Sequence, residues 1–295
     1  MSPTQAGAPD GLAAGPKAGP PSGLPCELHS GLHSGLHCGL HCGVLEDGAV
    51  LDLLLDRPKG NVLDGALMTA LADALTAHRG DRGLKVVILR GAGGHFSFGA
   101  SVEEHQSATV AAMLGRFHAL CRLVAAYPVP ILAAVEGRCL GGAFELVLCG
   151  HVVLAKAGAR FGCPEVRLGV FPPVLAVAGP LRLGAARSER LVLTGATMGA
   201  EEALQCGLAA AAVAPEADLL DAALAWYREH LAPTSAFALR QAVVAARRGS
   251  GLLTALDAGL DAAERQYLDA VVPSHDGNEG IAAFLQKRAP RWTHA

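Results

Sequence analysis

The sequence predicts an α/β core with crossover connections, followed by a region that is nearly all helix. Two kinds of apolar pattern alternate along the chain. Short runs bounded by turn residues, such as VVILR (86–90) and ILAAVEG (131–137), read as buried strands, and longer segments carry apolar residues at helical spacing. The order strand, strand, helix then repeats, and parallel strands in one sheet require crossovers between them. After residue 180 the strand-like runs give way to RSERLVLTG, AEEALQCG, ADLLDAALAWYREHL and TSAFALRQAVVAARR, all of helical pattern.

The composition narrows what such a chain does. Its 295 residues suffice for one large core, and 51% of them are hydrophobic with only 4% aromatic. Lys and Arg number 24 against 27 Asp and Glu, a formal charge of -3, with no basic cluster dense enough to be a nucleic-acid footprint. The N-terminal MSPTQAGAPDGLAAGPKAGPP lacks the basic start and apolar run of a secretory signal. No window approaches the ~18 apolar residues of a membrane span, so the reading is a cytoplasmic protein with no membrane partner. The eight cysteines sit mostly in apolar runs such as LVLCGHVV, which suits reduced, packed thiols.

Residues 1–43 are rich in Pro, Gly, Ala and Ser, and 28–43 repeat LHSG LHSG LHCG LHCG. A helix there would line up His and Cys as metal ligands. Glycine at every fourth position opposes that helix by ~1 kcal/mol each, so residues 1–43 read as a disordered tail and no metal is expected. Residues 44–230 form the expected α/β core and 231–295 a helical C-terminal region. The core opens with VLEDGAVLDLLLD, a hairpin turning at Asp47-Gly48. RPKGN breaks the run, and Leu67, Leu71, Ala74, Leu75 and His78 then mark a helix over 67–78. The strand at 86–90 follows, then a helix from about 102 to 126, a stop at Pro128-Val-Pro130 and the strand within 131–137. In the helical region Gly195 and Gly207 fall where C-caps belong. Trp226, Tyr227 and many leucines leave more apolar surface than one thin layer covers, which predicts subunit packing.

Three stretches carry candidate chemistry. In VEGRCLGGAFELVLCG (135–150) a strand ends, and Gly141-Gly142 open a helix bearing Glu145 one turn on. Free N–H groups at such a helix start attract negative charge, although a Gly-Gly step also serves close packing alone. In HFSFGASVEEH (95–105) a second strand-to-helix turn ends at Gly99-Ala100, so the Ala100 N–H is another unpaired donor. Two donors from two turns suit an oxyanion hole for a thioester carbonyl, each worth ~3 kcal/mol in the transition state. Ser101 and Glu104 fit an S-x-x-E capping box for the helix at 102, and Phe96 and Phe98 offer an apolar wall for an acyl group or simply enter the core. In ARFGCPEVRLGVFPP (159–173), Glu165 follows Pro164 among apolar residues, where desolvation raises a carboxyl toward general-acid range; pairing with Arg167 at the surface is the simpler alternative.

Together RPKGNVL, GHFSFGAS, GRCLGGAFEL, ARFGCPEVRLGVFP and a terminal EGIAAFLQKRAPRW resemble the enoyl-CoA hydratase/isomerase, or crotonase, superfamily over roughly 44–293. The resemblance implies a spiral of ββα units, with a helical C-terminal part that builds homotrimers, commonly paired into hexamers. It implies an acyl-CoA thioester as substrate, with coenzyme A part of that substrate and no other cofactor. Its oxyanion donors fall on the N–H groups of Ala100 and Gly142 and its catalytic pair on Glu145 and Glu165. Substrate and CoA contacts fall on Lys59, Phe96, Ser97, Phe98, Gly99 and Gly141, and on Phe284 and Lys287 reaching in from a neighbouring subunit. Two departures stand out: Ser101 replaces the usual acidic residue, and FPPVLAVAGP replaces the usual Pro-Gly-x-Gly-Gly. Both resemble the branch of the family that hydrates cyclohexa-1,5-dienecarbonyl-CoA in anaerobic benzoyl-CoA degradation. A general hydratase of straight-chain enoyl-CoA, an isomerase and a non-catalytic acyl-CoA-binding relative are the alternatives.

Overall fold

The computed structural model describes residues 38–295. The expected disordered tail therefore lies outside the described residues except at its end, where the boundary moves. The last repeat unit, Leu40–Gly43, is ordered as part of strand β1 (Leu40–Leu45), which pairs antiparallel with β2 (Val50–Leu55) across a tight turn at Glu46–Gly48. Leu40 lies opposite Leu55 and is buried, so the hairpin extends four residues further back than its apolar pattern suggests.

Helix α1 (Gly65–His78) starts at Asp64, whose carboxylate accepts from the Leu67 N–H, and it buries Leu67, Met68, Leu71 and Leu75. Strand β3 (Val86–Gly91) runs parallel to β2. The helix expected from residue 102 begins later: Glu103–His105 form one 3₁₀ turn, and α2 spans Val110–Ala125. The capping box is also absent. Ser101 Oγ donates to Glu103 rather than to its own helix start, and Glu104 Oε1 accepts instead from the Gly65 N–H at the head of α1. That open N–H of α1 is a stronger claim on Glu104 than the short turn it sits in.

Strands β4 (Ile131–Val135) and β5 (Arg138–Leu140), helix α3 (Gly142–Cys149), and strands β6 (Val152–Lys156) and β7 (Arg160–Gly162) complete two further turns of the spiral. Helices α4 (Pro173–Leu183) and α5 (Ala185–Thr194), strand β8 (Thr197–Gly199), helix α6 (Ala200–Gln205) and strand β9 (Ala211–Val213) follow. The sheets are ordered β1-β2-β3-β4-β6-β9 and β5-β7-β8. At three residues each, β8 and β9 are too short to show a period in a stretch that reads as all helix.

The larger sheet is parallel from β2 to β9, which is why its strands read as continuous apolar runs. Val86, Ile88, Leu132 and Leu154 face α7 (Leu219–His230), whereas Val87, Leu89, Ala133 and Val153 face the main core. Helices α8 (Ala236–Ser250), α9 (Leu252–Gln266) and α10 (His275–Leu285) end the chain, with a π-helical turn at Tyr267–Val271 before α10. The result is the crotonase-like α/β spiral with a helical C-terminal region. Among the described residues no helix is long and apolar enough to cross a membrane.

Candidate active site

The two glycine-bearing turns meet because the segment 96–101 is threaded between two others. Leu63 N–H donates to Gly99 O and Ser101 N–H to Leu63 O on one side; Ser97 N–H donates to Arg138 O and Leu140 N–H to Ser97 O on the other. Gly99 makes the approach possible. Its φ is +100°, and a Cβ there would stand 2.6 Å from Leu140 O. The backbone N–H groups of Ala100 and Gly142 are left without an acceptor among the described residues, and a Cβ on Gly142 would lie 3.3 Å from that of Ala100. Two donors from two loops therefore stand side by side at the wall of one cavity of about 220 Å³.

Both glutamates open onto that cavity. Glu145 projects from the first turn of α3, is 3% exposed, and its Oε1 accepts from the Leu175 N–H at 2.9 Å. Leu175 lies in the first turn of α4, whose start, Pro172-Pro173, supplies no side-chain cap. Glu145 thus caps a helix that the FPP sequence leaves open. Desolvation raises its carboxyl, and the N–H bonds from Leu175 and Val174 oppose the rise. Glu165 begins a 3₁₀ turn after Pro164. Part of the residue reaches the surface, yet its Oε2 is sealed from solvent with no hydrogen-bond partner. Desolvation, and next the Glu145 charge, lift the Glu165 carboxyl above the ordinary range. Its other oxygen rests against Gly141, whose φ is +52° and where a Cβ would come within 2.8 Å of Oε1. The simpler ion pair with Arg167 does not form; Arg167 bonds the Thr194 carbonyl.

The remaining expectations divide. Phe98 lines the cavity, its ring lying on Gly60 with the Arg138 guanidinium 5.8 Å from its centre. Phe96 does not: it is wholly buried in the core. Ser97 is also buried, its hydroxyl donating to Asn61 O and accepting from Gly99 N–H, so it shapes the turn instead of meeting a ligand. Lys59 is exposed beside Gly60, and Lys287 is exposed and off the cavity wall. Phe284, expected from a neighbouring subunit, lines the cavity of its own chain because α10 folds back over it.

Two residues that sequence reasoning missed matter here. Asn61, within RPKGN, sends its amide to the carbonyls of Ala92, His95 and Phe96, which anchors the loop before Ala100. Tyr267 lines the cavity from the π-helical turn, and its buried hydroxyl has no partner. Burial and then both carboxylates keep that phenol protonated. A buried Asn in a motif rich in turn residues was a visible signal; nothing local marks the tyrosine.

The sequence model described as Enoyl-CoA hydratase/isomerase matches residues 46–295. The chain is 43% identical over 247 residues to the cyclohexa-1,5-dienecarbonyl-CoA hydratase of Thauera aromatica, covering 83% of this chain and 93% of that one. It is 36% identical over 244 residues to the 2,3-dehydroadipyl-CoA hydratase of Escherichia coli strain K12, covering 82% and 94%. Among solved structures, an enoyl-CoA hydratase from Mycobacterium avium subsp. paratuberculosis K-10 superposes with a TM-score of 0.75 at 28% identity, over 87% of this chain and 99% of that one. With two unpaired amides and two buried carboxylates on one cavity, in a chain matched over residues 46–295, this protein belongs to the enoyl-CoA hydratase/isomerase family.

Proposed function

We propose that this chain hydrates cyclohexa-1,5-diene-1-carbonyl-CoA to 6-hydroxycyclohex-1-ene-1-carbonyl-CoA. The coarser statement follows from family membership: it is a hydro-lyase that adds water to an enoyl-CoA thioester. The observation that carries the reading is the pair of buried carboxylates, both raised, on the same cavity wall as the Ala100 and Gly142 amides. Neighbouring carboxylates with raised values hold one proton between them near neutrality, which gives one base and one acid.

The environments divide those roles. Glu145 accepts N–H bonds from the start of α4, which favour its ionised form, so it is the base. Glu165, with an oxygen that has no donor and with the Glu145 charge nearby, keeps the proton and is the acid. The thioester oxygen sits between the two amides. Water loses a proton to Glu145 as its oxygen bonds to C2, the β carbon. The electron pair of the C1–C2 double bond moves into an enolate extended over C5–C6. That enolate takes the Glu165 proton at C5, which leaves the ring double bond between C1 and C6. Transfer of the proton from Glu145 back to Glu165 closes the cycle, and no metal or redox cofactor enters.

The specific substrate is supported by the 43% identity to the Thauera aromatica hydratase and by a small cavity walled by Phe98, Phe117, Phe171 and Tyr267, which suits a compact ring. The test is turnover of the cyclic dienoyl thioester beside crotonyl-CoA, followed by absorbance and mass. Gain of one water on the diene with crotonyl-CoA nearly inert supports the proposal; the reverse preference leaves a general enoyl-CoA hydratase. We also read the protein as a homotrimer or homohexamer. Leu193 and Phe237, 71% and 73% exposed in the single chain, support this reading, which sedimentation tests.

A further inference from the structure

We infer a second ligand site, for a small multivalent oxyanion such as phosphate, at the end of the parallel sheet opposite the catalytic cavity. Pro130 and His151, the residues just before β4 and β6, line a cavity of about 380 Å³ together with Arg182 of α4 and Arg247 of α8. No residue of this cavity lines the catalytic one. The inference does not depend on the hydratase reading.

The titratable side chains that line it, His151, Arg182 and Arg247, are all basic. His151 Nδ1 accepts the Ile131 N–H at 3.1 Å, which puts the proton of the neutral ring on Nε2. That Nε2 is buried and has no partner. Arg182 makes neither a hydrogen bond nor an ion pair among the described residues, and its Nε is sealed from solvent. Arg247, 6% exposed, donates to the Cys149 carbonyl at 2.8 Å and to the Gly150 carbonyl, but its Nε has no acceptor.

Among the described residues neither arginine forms an ion pair with Asp or Glu. Burial holds Arg247 below its ordinary value, with the Arg182 charge adding to the effect, and burial and both arginines hold His151 low. Buried charges are ordinarily paired, because an isolated one costs several kcal/mol. Two arginines that repel each other on the wall of one cavity are satisfied together by an anion with several acceptor oxygens. Phosphate fits that description, and so does a phosphoryl group on a larger molecule.

The test is thermal unfolding of the full-length protein in increasing inorganic phosphate against sodium chloride of matched ionic strength. The wild type is expected to gain a saturable rise of several degrees. Arg182→Met should lose that rise, while Arg182→Lys keeps part of it. Without phosphate Arg182→Met should melt above wild type, because the repulsion with Arg247 is gone. Hydratase turnover at saturating thioester should be the same in all three proteins. Three results would overturn the inference. One is no phosphate-specific rise in wild type, and another is a rise undiminished in Arg182→Met, which puts the anion elsewhere. The third is dissociation of an oligomer by Arg182→Met with wild type indifferent to phosphate, which makes the counter-charge a carboxylate of a second copy.

Discussion

Replacing Glu165 by Gln should make the protein more stable at alkaline pH while removing its activity. In the folded chain burial and the Glu145 charge raise the Glu165 carboxyl from the ordinary 4.5 to about 8. Between those values the unfolded chain releases a proton that the native chain retains, so stability declines as pH rises from 4.5 and the decline is complete above about 8. A rise of that size corresponds to at most ~5 kcal/mol. Water entry around a charged carboxylate lowers this to about 2–4 kcal/mol. Gln fills the same volume and never ionises, so it avoids the loss. Urea unfolding of both proteins at pH 5, 7 and 9, at one fixed protein concentration, reads the effect. The gap between variant and wild type should be small at pH 5 and reach about 2–4 kcal/mol at pH 9. A gap that stays constant with pH would refute the reasoning, because the carboxyl would then be an ordinary hydrated one.

Other perturbations reach the same site by different routes. Glu145→Gln should lower turnover by several orders of magnitude; full activity in it or in Glu165→Gln would sink the two-carboxylate mechanism. The pH profile of kcat/KM should be bell-shaped, since the pair must hold one proton. Gly99→Ala should cut kcat about 100-fold, because a side chain 2.6 Å from Leu140 O forces Ala100 away from Gly142; steady-state kinetics with circular dichroism as a folding control checks this. Asn61→Leu should cost about 3 kcal/mol by denaturant unfolding, because three carbonyls of the 92–96 loop lose their donor. Tyr267→Phe should leave stability in denaturant unfolding unchanged or slightly higher, as it removes a buried hydroxyl with no partner. A clear loss of stability would mean that the hydroxyl is already satisfied within the fold.

What the sequence made legible follows the range of the interactions involved. VVILR and ILAAVEG are continuous because parallel strands are covered on both faces, so β3 and β4 are readable from local pattern. Gly141-Gly142 with Glu145 one turn on is likewise a local signature, and Glu145 lies where that spacing puts it. Glu104 looked like a cap for its own helix, but it satisfies α1, thirty-nine residues back in the chain. Phe96 and Phe98 are two apart and alternate, so only one of them can face the cavity; local pattern does not say which. Tyr267 reaches the site only because the π-helical turn and α10 fold back, a tertiary event with no local sign.

The hairpin at the sheet edge gives the N-terminal repeat an unexpected tolerance. Strand β1 opens with Leu40-His41-Cys42-Gly43, and the four residues before it, Leu36-His37-Cys38-Gly39, are the same. Side chains alternate faces along a strand with period two, and a unit of four is a whole number of such steps. Loss of one unit would slide an identical LHCG into register opposite β2, with Leu again facing Leu55. Gain of a unit would do the same. With one unit more or one fewer, the strand that the repeat feeds would keep both its sequence and its register.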